Sequence, residues 1–144
     1  MILIFCQIAI GAFVSGMDAG KIYNSWPLMG LNYFPDDNQF INLFDLEVFS
    51  DPSLVQFIHR NLAYIIILFY LFTLIKIYKK KISDLYFPIK LIGIILFIQI
   101  ILGILTLING AQITLASMHQ ICSIFLVSSC VYFLFLNKNT NLQP

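Results

Sequence analysis

The stretch SLVQFIHRNLAYIIILFYLFTLIKI, residues 53–77, decides the fold. At 1.5 Å per residue it is long enough as a helix to cross the ~30 Å hydrocarbon core of a bilayer. Asp51 in front of it is able to cap a helix, and Pro52 suits the first helical position. The stretch runs into Lys76, Lys79, Lys80 and Lys81. Its first two turns hold the only arginine of the chain, Arg60, and one of its two histidines, His59.

Working outward, three further apolar segments are predicted as spans, giving four in all: about 1–20, 53–77, 85–108 and 114–136. Asn109-Gly110 reads as a helix stop, and the short connection after it makes the last two spans antiparallel neighbours. Within the first segment Ala12, Gly16 and Gly20 recur every fourth residue, which predicts a small-residue helix face for close packing. The segment opens on Met1-Ile2-Leu3-Ile4-Phe5 with no basic n-region, which predicts a short first span or a part of something longer.

Residues 21–52 are polar and rich in acid, with Asp36, Asp37, Asp45, Glu47 and Asp51 against Lys21. Tyr23, Trp26 and Tyr33 suit the headgroup level, and 38–49 reads as an interfacial helix or cap over the mouth of the bundle. Lysines flank the opposite ends of the spans, at 76–81 and at Lys138. The asymmetry predicts a multi-pass protein of the inner (cytoplasmic) membrane, or of the mitochondrial inner membrane if organellar, with both termini cytoplasmic and 21–52 outside.

Composition agrees with this reading. The chain has 144 residues, 60% of them hydrophobic and 10% charged, where a soluble domain carries about 25% charged residues. The fold class is therefore an all-α membrane protein, a single four-span bundle over 1–144, with the lipid bilayer as its main partner. A net charge of +1 gives no reason to expect nucleic acid. Cys6, Cys122 and Cys130 all lie in apolar runs and form no C-x-x-C-H, which excludes the usual covalent haem attachment.

His119 sits in the last span as His59 sits in the second. Both spans run in the same direction, and both imidazoles lie roughly 7–9 Å inside the outer helix ends. Alternate helices of an up-down bundle are parallel and face each other across the core. Two imidazoles so placed suit the two axial positions of a haem iron. The plainer alternative is two unrelated histidines, each bonded to a neighbouring helix. Zinc lacks a third or fourth ligand at that depth. Arg60 is read either as a partner for haem propionates or as a side chain reaching to headgroups.

GAFVSGMDAGKIYNSWPLMG at 11–30, VQFIHRNLAY at 55–64, and LGILTL with LASMHQ within 102–120 resemble the second half of the haem A synthases of alphaproteobacteria and mitochondria. The resemblance implies half of an eight-span fold of two tandem four-helix bundles. It implies oxidation of a methyl group of haem O to the formyl group of haem A for cytochrome oxidase. His59 and His119 are then the iron ligands of a bis-histidine haem b, with Arg60 beside them. Implied partners are haem O and haem A, a first-half bundle, haem O synthase and cytochrome oxidase assembly factors. The first-half motif is Glu-x-x-His-Arg, and here Gln56 stands at the glutamate position, so no catalytic residue is expected in this chain. A stand-alone b-type cytochrome and a non-haem membrane scaffold are the alternatives.

Overall fold

The computed structural model describes residues 1–140. Four helices follow one another: α1 (Ile2–Gly16), α2 (Pro52–Lys79), α3 (Tyr86–Ile108) and α4 (Ile113–Thr140). Three stretches, Pro52–Lys79, Ser83–Ile108 and Ile113–Lys138, are long and apolar enough to cross a membrane. The protein is thus an all-α, multi-pass membrane protein. α1 is apolar but has 15 residues, about 22 Å of helix. The C-terminus lies outside the described residues.

The bundle is built from two helical hairpins, α1 with α2 and α3 with α4. They share one apolar core: Ile66, Ile89, Ile92, Leu96, Leu126 and Cys130 are buried together, near the end that carries the lysines. There Gly93 of α3 makes room for the Tyr70 hydroxyl of α2, which stands where a Cβ would be. Most other large apolar side chains, such as Phe69, Phe72, Phe97, Ile124 and Phe125, are exposed around the helices. That pattern suits a lipid solvent, which leaves apolar side chains nothing to gain by turning inward.

Helix ends follow their chemistry. The Asp51 carboxylate accepts from the Leu54 amide at 2.9 Å, with Pro52 as the first residue of α2. α3 stops at Asn109, where Gly110 and Ala111 take positive φ. α1 stops earlier than the small-residue pattern predicted. Asp18 adopts a left-handed conformation (φ 54°), so Gly20 leaves the helix and no common face with Ala12 and Gly16 exists. Gly16 has open space at its Cβ position, whereas a Cβ at Gly20 would stand 3.3 Å from the Ala111 methyl.

Residues 18–51 form an irregular cap over the outer end of α2. The predicted interfacial helix at 38–49 is two short 3-10 turns, Phe40–Phe44 and Leu46–Ser50, broken by extended Asp45. Inside the cap the Tyr23 hydroxyl donates to both Asp36 and Asp37, and Ser53 at the start of α2 donates to Asp37 at 2.6 Å. Asn24 reaches the other hairpin, donating to the Leu107 carbonyl at 3.0 Å.

These contacts make the cap sensitive to pH in a defined sense. Burial, hydrogen bonds to the two carboxylates and their charge push Tyr23 from 10.0 to about 12. At Asp37 burial acts upward, but hydrogen bonds from Ser53, Asn38 and Tyr23 outweigh it and hold the carboxyl below its usual range. A raised tyrosine pKa stabilises the fold fully below about pH 10, and the contribution is lost as pH climbs to about 12. A lowered carboxyl stabilises it above the usual carboxylate range, and that contribution is lost in stronger acid. Hydrogen exchange of the cap is therefore expected to accelerate between pH 10 and 12, with that step absent in Tyr23→Phe. An unchanged alkaline step in the variant would remove the Tyr23 assignment.

Candidate functional site: two histidines cradled by two glutamine-glycine helices

His59 of α2 and His119 of α4 lie seven and six residues past the first residues of their helices, about 9–11 Å below the outer ends. Both are half-buried. The sequence predicted the matched depth. It did not predict what holds each ring.

Each imidazole lies against the other helix of its own hairpin. His59 meets α1 at Gln7 and Gly11: the Gln7 amide donates to His59 Nε2 at 3.3 Å and to the His59 carbonyl at 3.1 Å. A Cβ at Gly11 would stand 3.1 Å from His59 Cε1. His119 meets α3 at Gln99 and Gly103, with the Gln99 amide 3.3 Å from His119 Nε2. A Cβ at Gly103 would stand 3.0 Å from His119 Cε1. Gln7 and Gly11 lie nine and five residues before Gly16, the end of α1, and Gln99 and Gly103 lie nine and five before Ile108, the end of α3. The two hairpins thus repeat one construction. Its sequence trace is visible afterwards: FCQIAIG at 5–11 and FIQIILG at 97–103.

The hydrogen bonds fix the state of the rings. A glutamine NH2 can only donate, so each Nε2 accepts and carries a lone pair. The proton is then on Nδ1. At His119 this Nδ1–H donates to the Gln99 main-chain carbonyl at 3.1 Å. At His59 Nδ1 is buried and has no partner among the described residues. A neutral imidazole with its lone pair on Nε2 is the form that binds a metal.

The surroundings fit a large flat cofactor better than a bare ion. Among the described residues no three His, Cys, Asp or Glu side chains cluster as a metal site. Two imidazoles alone are a poor ion site, whereas a haem iron would need no more than two protein ligands. The protein core also stops short of this depth. No residue is buried over 57–65, 97–108 or 113–125, whereas buried apolar side chains gather in the inner half of the bundle around Ile66, Ile92 and Leu126. Side-chain oxygens of Gln7 and Gln99 are buried at the same level without partners. Unpaired polar atoms of this kind are uncommon and call for an explanation.

Arg60 turns to the cap. Its terminal nitrogens donate to the carbonyls of Tyr23 (2.9 Å), Ser25 (3.0 Å) and Leu28 (3.2 Å), and its Nε is buried without a partner among the described residues. Gln56 is 2% exposed and donates to the same Tyr23 carbonyl at 3.1 Å. These two residues, one turn apart on α2, clamp the loop 23–28 over the histidine level.

Comparison with known proteins matches residues 1–131 to the family described as cytochrome oxidase assembly protein (COX15-CtaA). The chain is 49% identical over 139 residues to a heme A synthase of Pelagibacter ubique, covering 96% of this chain and 40% of that protein. It is 41% identical to a heme A synthase of Wolbachia pipientis wMel, covering 97% of this chain and 39% of the relative. It is 37% identical to one of Rickettsia africae, covering 96% and 41%. The chain therefore spans about two fifths of the length of these relatives. No solved structure matches it.

Proposed function

The chain belongs to the COX15-CtaA family of cytochrome oxidase assembly proteins, and from that premise we propose that it is the haem-holding half of a haem A synthase, with His59 and His119 as the two axial ligands of a haem b. One observation carries the reading. Each histidine stands at matched depth with its Nε2 accepting from a glutamine amide, at a level of the bundle where no residue is buried. Haem b supplies one-electron redox chemistry when bound. The residues of this chain supply ligation and placement. Gly11 and Gly103 let the rings lie against α1 and α3, and Arg60 stands beside His59 with an unpartnered Nε–H suited to a propionate.

Gln56 carries an amide where the first-half motif carries a carboxylate, and an amide does not exchange protons in this range. The oxidation of haem O is therefore assigned to a first-half bundle, with haem O and haem A as substrate and product of the assembled enzyme. The acidic cap is taken as extracytoplasmic and the lysine ends as cytoplasmic. Purified chain loaded with haem b is expected to show a low-spin, bis-imidazole spectrum. His59→Ala and His119→Ala should each lose that spectrum while keeping the helical circular dichroism of the parent. A low-spin spectrum that persists in both variants would exclude these ligands.

A further inference from the structure

Resting on the ligation reading above, we infer that the two ligands are unequal: His119 is the anchoring ligand and His59 the exchangeable one, with the Gln7 amide competing for its Nε2. The two hairpins repeat the glutamine-glycine cradle but differ at Nδ1 of the histidine. Gln99 holds both nitrogens of its histidine, accepting from Nδ1 through its main-chain carbonyl at 3.1 Å and donating to Nε2 through its side-chain amide at 3.3 Å. At His59 no group accepts from Nδ1 among the described residues. Among the described residues the only hydrogen bond to the ring comes from the Gln7 amide, and it goes to the nitrogen that a metal would take.

The consequence follows from how outer partners act on ligand histidines. A carbonyl on Nδ1–H fixes the tautomer, orients the ring and raises the basicity of Nε2, and losing such a partner costs about 10–100-fold in metal affinity. His119 has that partner built into the main chain of α3, where no side-chain change removes it. His59 lacks it, and its ring is aimed only by a flexible amide that must give way when Nε2 binds. The weaker iron bond is therefore on the α2 side. A small neutral ligand for ferrous haem, such as carbon monoxide, should enter there by displacing His59.

The test is a haem b titration of the full chain in detergent, followed by the spin state and the carbon monoxide difference spectrum of the reduced form. His119→Ala is expected to weaken haem uptake by more than about 100-fold, beyond the loss of an outer partner alone. His59→Ala should keep haem to within about tenfold, but as a five-coordinate, high-spin species that binds carbon monoxide fully. Gln7→Leu should lower the fraction that reacts with carbon monoxide below the parent, because the amide no longer competes for His59 Nε2. Gln99→Leu should leave it unchanged, because the main-chain carbonyl persists. Nitrogen-15 spectra of the haem-free chain should show His119 with its proton on Nδ1. Equal loss of haem in the two histidine variants, or equal effects of Gln7→Leu and Gln99→Leu, overturns the inference and leaves the ligation reading standing. Wild-type chain that takes up no haem overturns both.

Discussion

Gly103→Leu and Gly11→Leu are each expected to abolish the low-spin haem spectrum while leaving the helices intact. At Gly103 even a methyl would stand 3.0 Å from His119 Cε1, and at Gly11 3.1 Å from His59 Cε1. The remaining atoms of leucine then need the space that the imidazole occupies, so the ring must swing away from its place against that helix. The helix itself gains, since leucine is better than glycine inside a helix by roughly 0.8–1 kcal/mol. Loss of ligation without loss of helicity is the signature of a cradle, and it separates this role from plain packing. Alanine at either position asks for a shift of only a few tenths of an ångström, so a partial effect is expected. Haem titration together with thermal circular dichroism reads both quantities. Unchanged haem affinity in both leucine variants would mean that the rings do not depend on these glycines.

Arg60→Ala is expected to release the cap. Three hydrogen bonds from one guanidinium to the carbonyls of Tyr23, Ser25 and Leu28 are lost together. Hydrogen bonds to charged groups contribute about 1.5–3 kcal/mol each when undisturbed. The freed carbonyls lie near the cap surface and regain water, so the loss should fall below the sum of three such bonds, on the order of 3 kcal/mol for local opening of 23–28. Proteolysis within 18–51 should rise by about 100-fold, since each 1.4 kcal/mol is a factor of ten in the open population. Arg60→Lys keeps the charge but not the fork, and should recover only part of the protection. Proteolysis at the parental rate in Arg60→Ala would show that other contacts, such as Ser53 to Asp37, hold the cap alone.

Much of this was legible in the sequence, for physical reasons that differ by region. Apolar runs in lipid must be helical, because no water is there to satisfy the backbone. The span boundaries around 53–77, 85–108 and 114–136 therefore lie within a few residues of the helix ends, and the depth match of His59 and His119 followed. The first segment was harder. Ala12 and Gly16 drew attention as a small-residue face, yet the glycine that matters is Gly11, and only its partner ring on α2 reveals that. Gln7 and Gln99 read as isolated polar residues in apolar runs. Their meaning appears only when the hairpins are laid over one another and FCQIAIG is set against FIQIILG.

The cap was the least legible part. Residues 38–49 carry the composition of an amphipathic helix, but extended Asp45 divides them into two 3-10 turns. Arg60 was weighed between propionates and headgroups, while its terminal nitrogens are engaged by main-chain carbonyls. Carbonyl partners leave no mark in a sequence, since every residue has one.

The central claim is a porphyrin iron held between an imidazole of α2 and an imidazole of α4. Near-infrared magnetic circular dichroism of the ferric, haem-loaded chain tests it most directly, because the low-spin charge-transfer band depends on the identity of both axial ligands. The account predicts a bis-imidazole band in the wild-type chain and its absence in both His59→Ala and His119→Ala. A band from any other ligand pair, or a chain that stays colourless with haem b in excess, would contradict it.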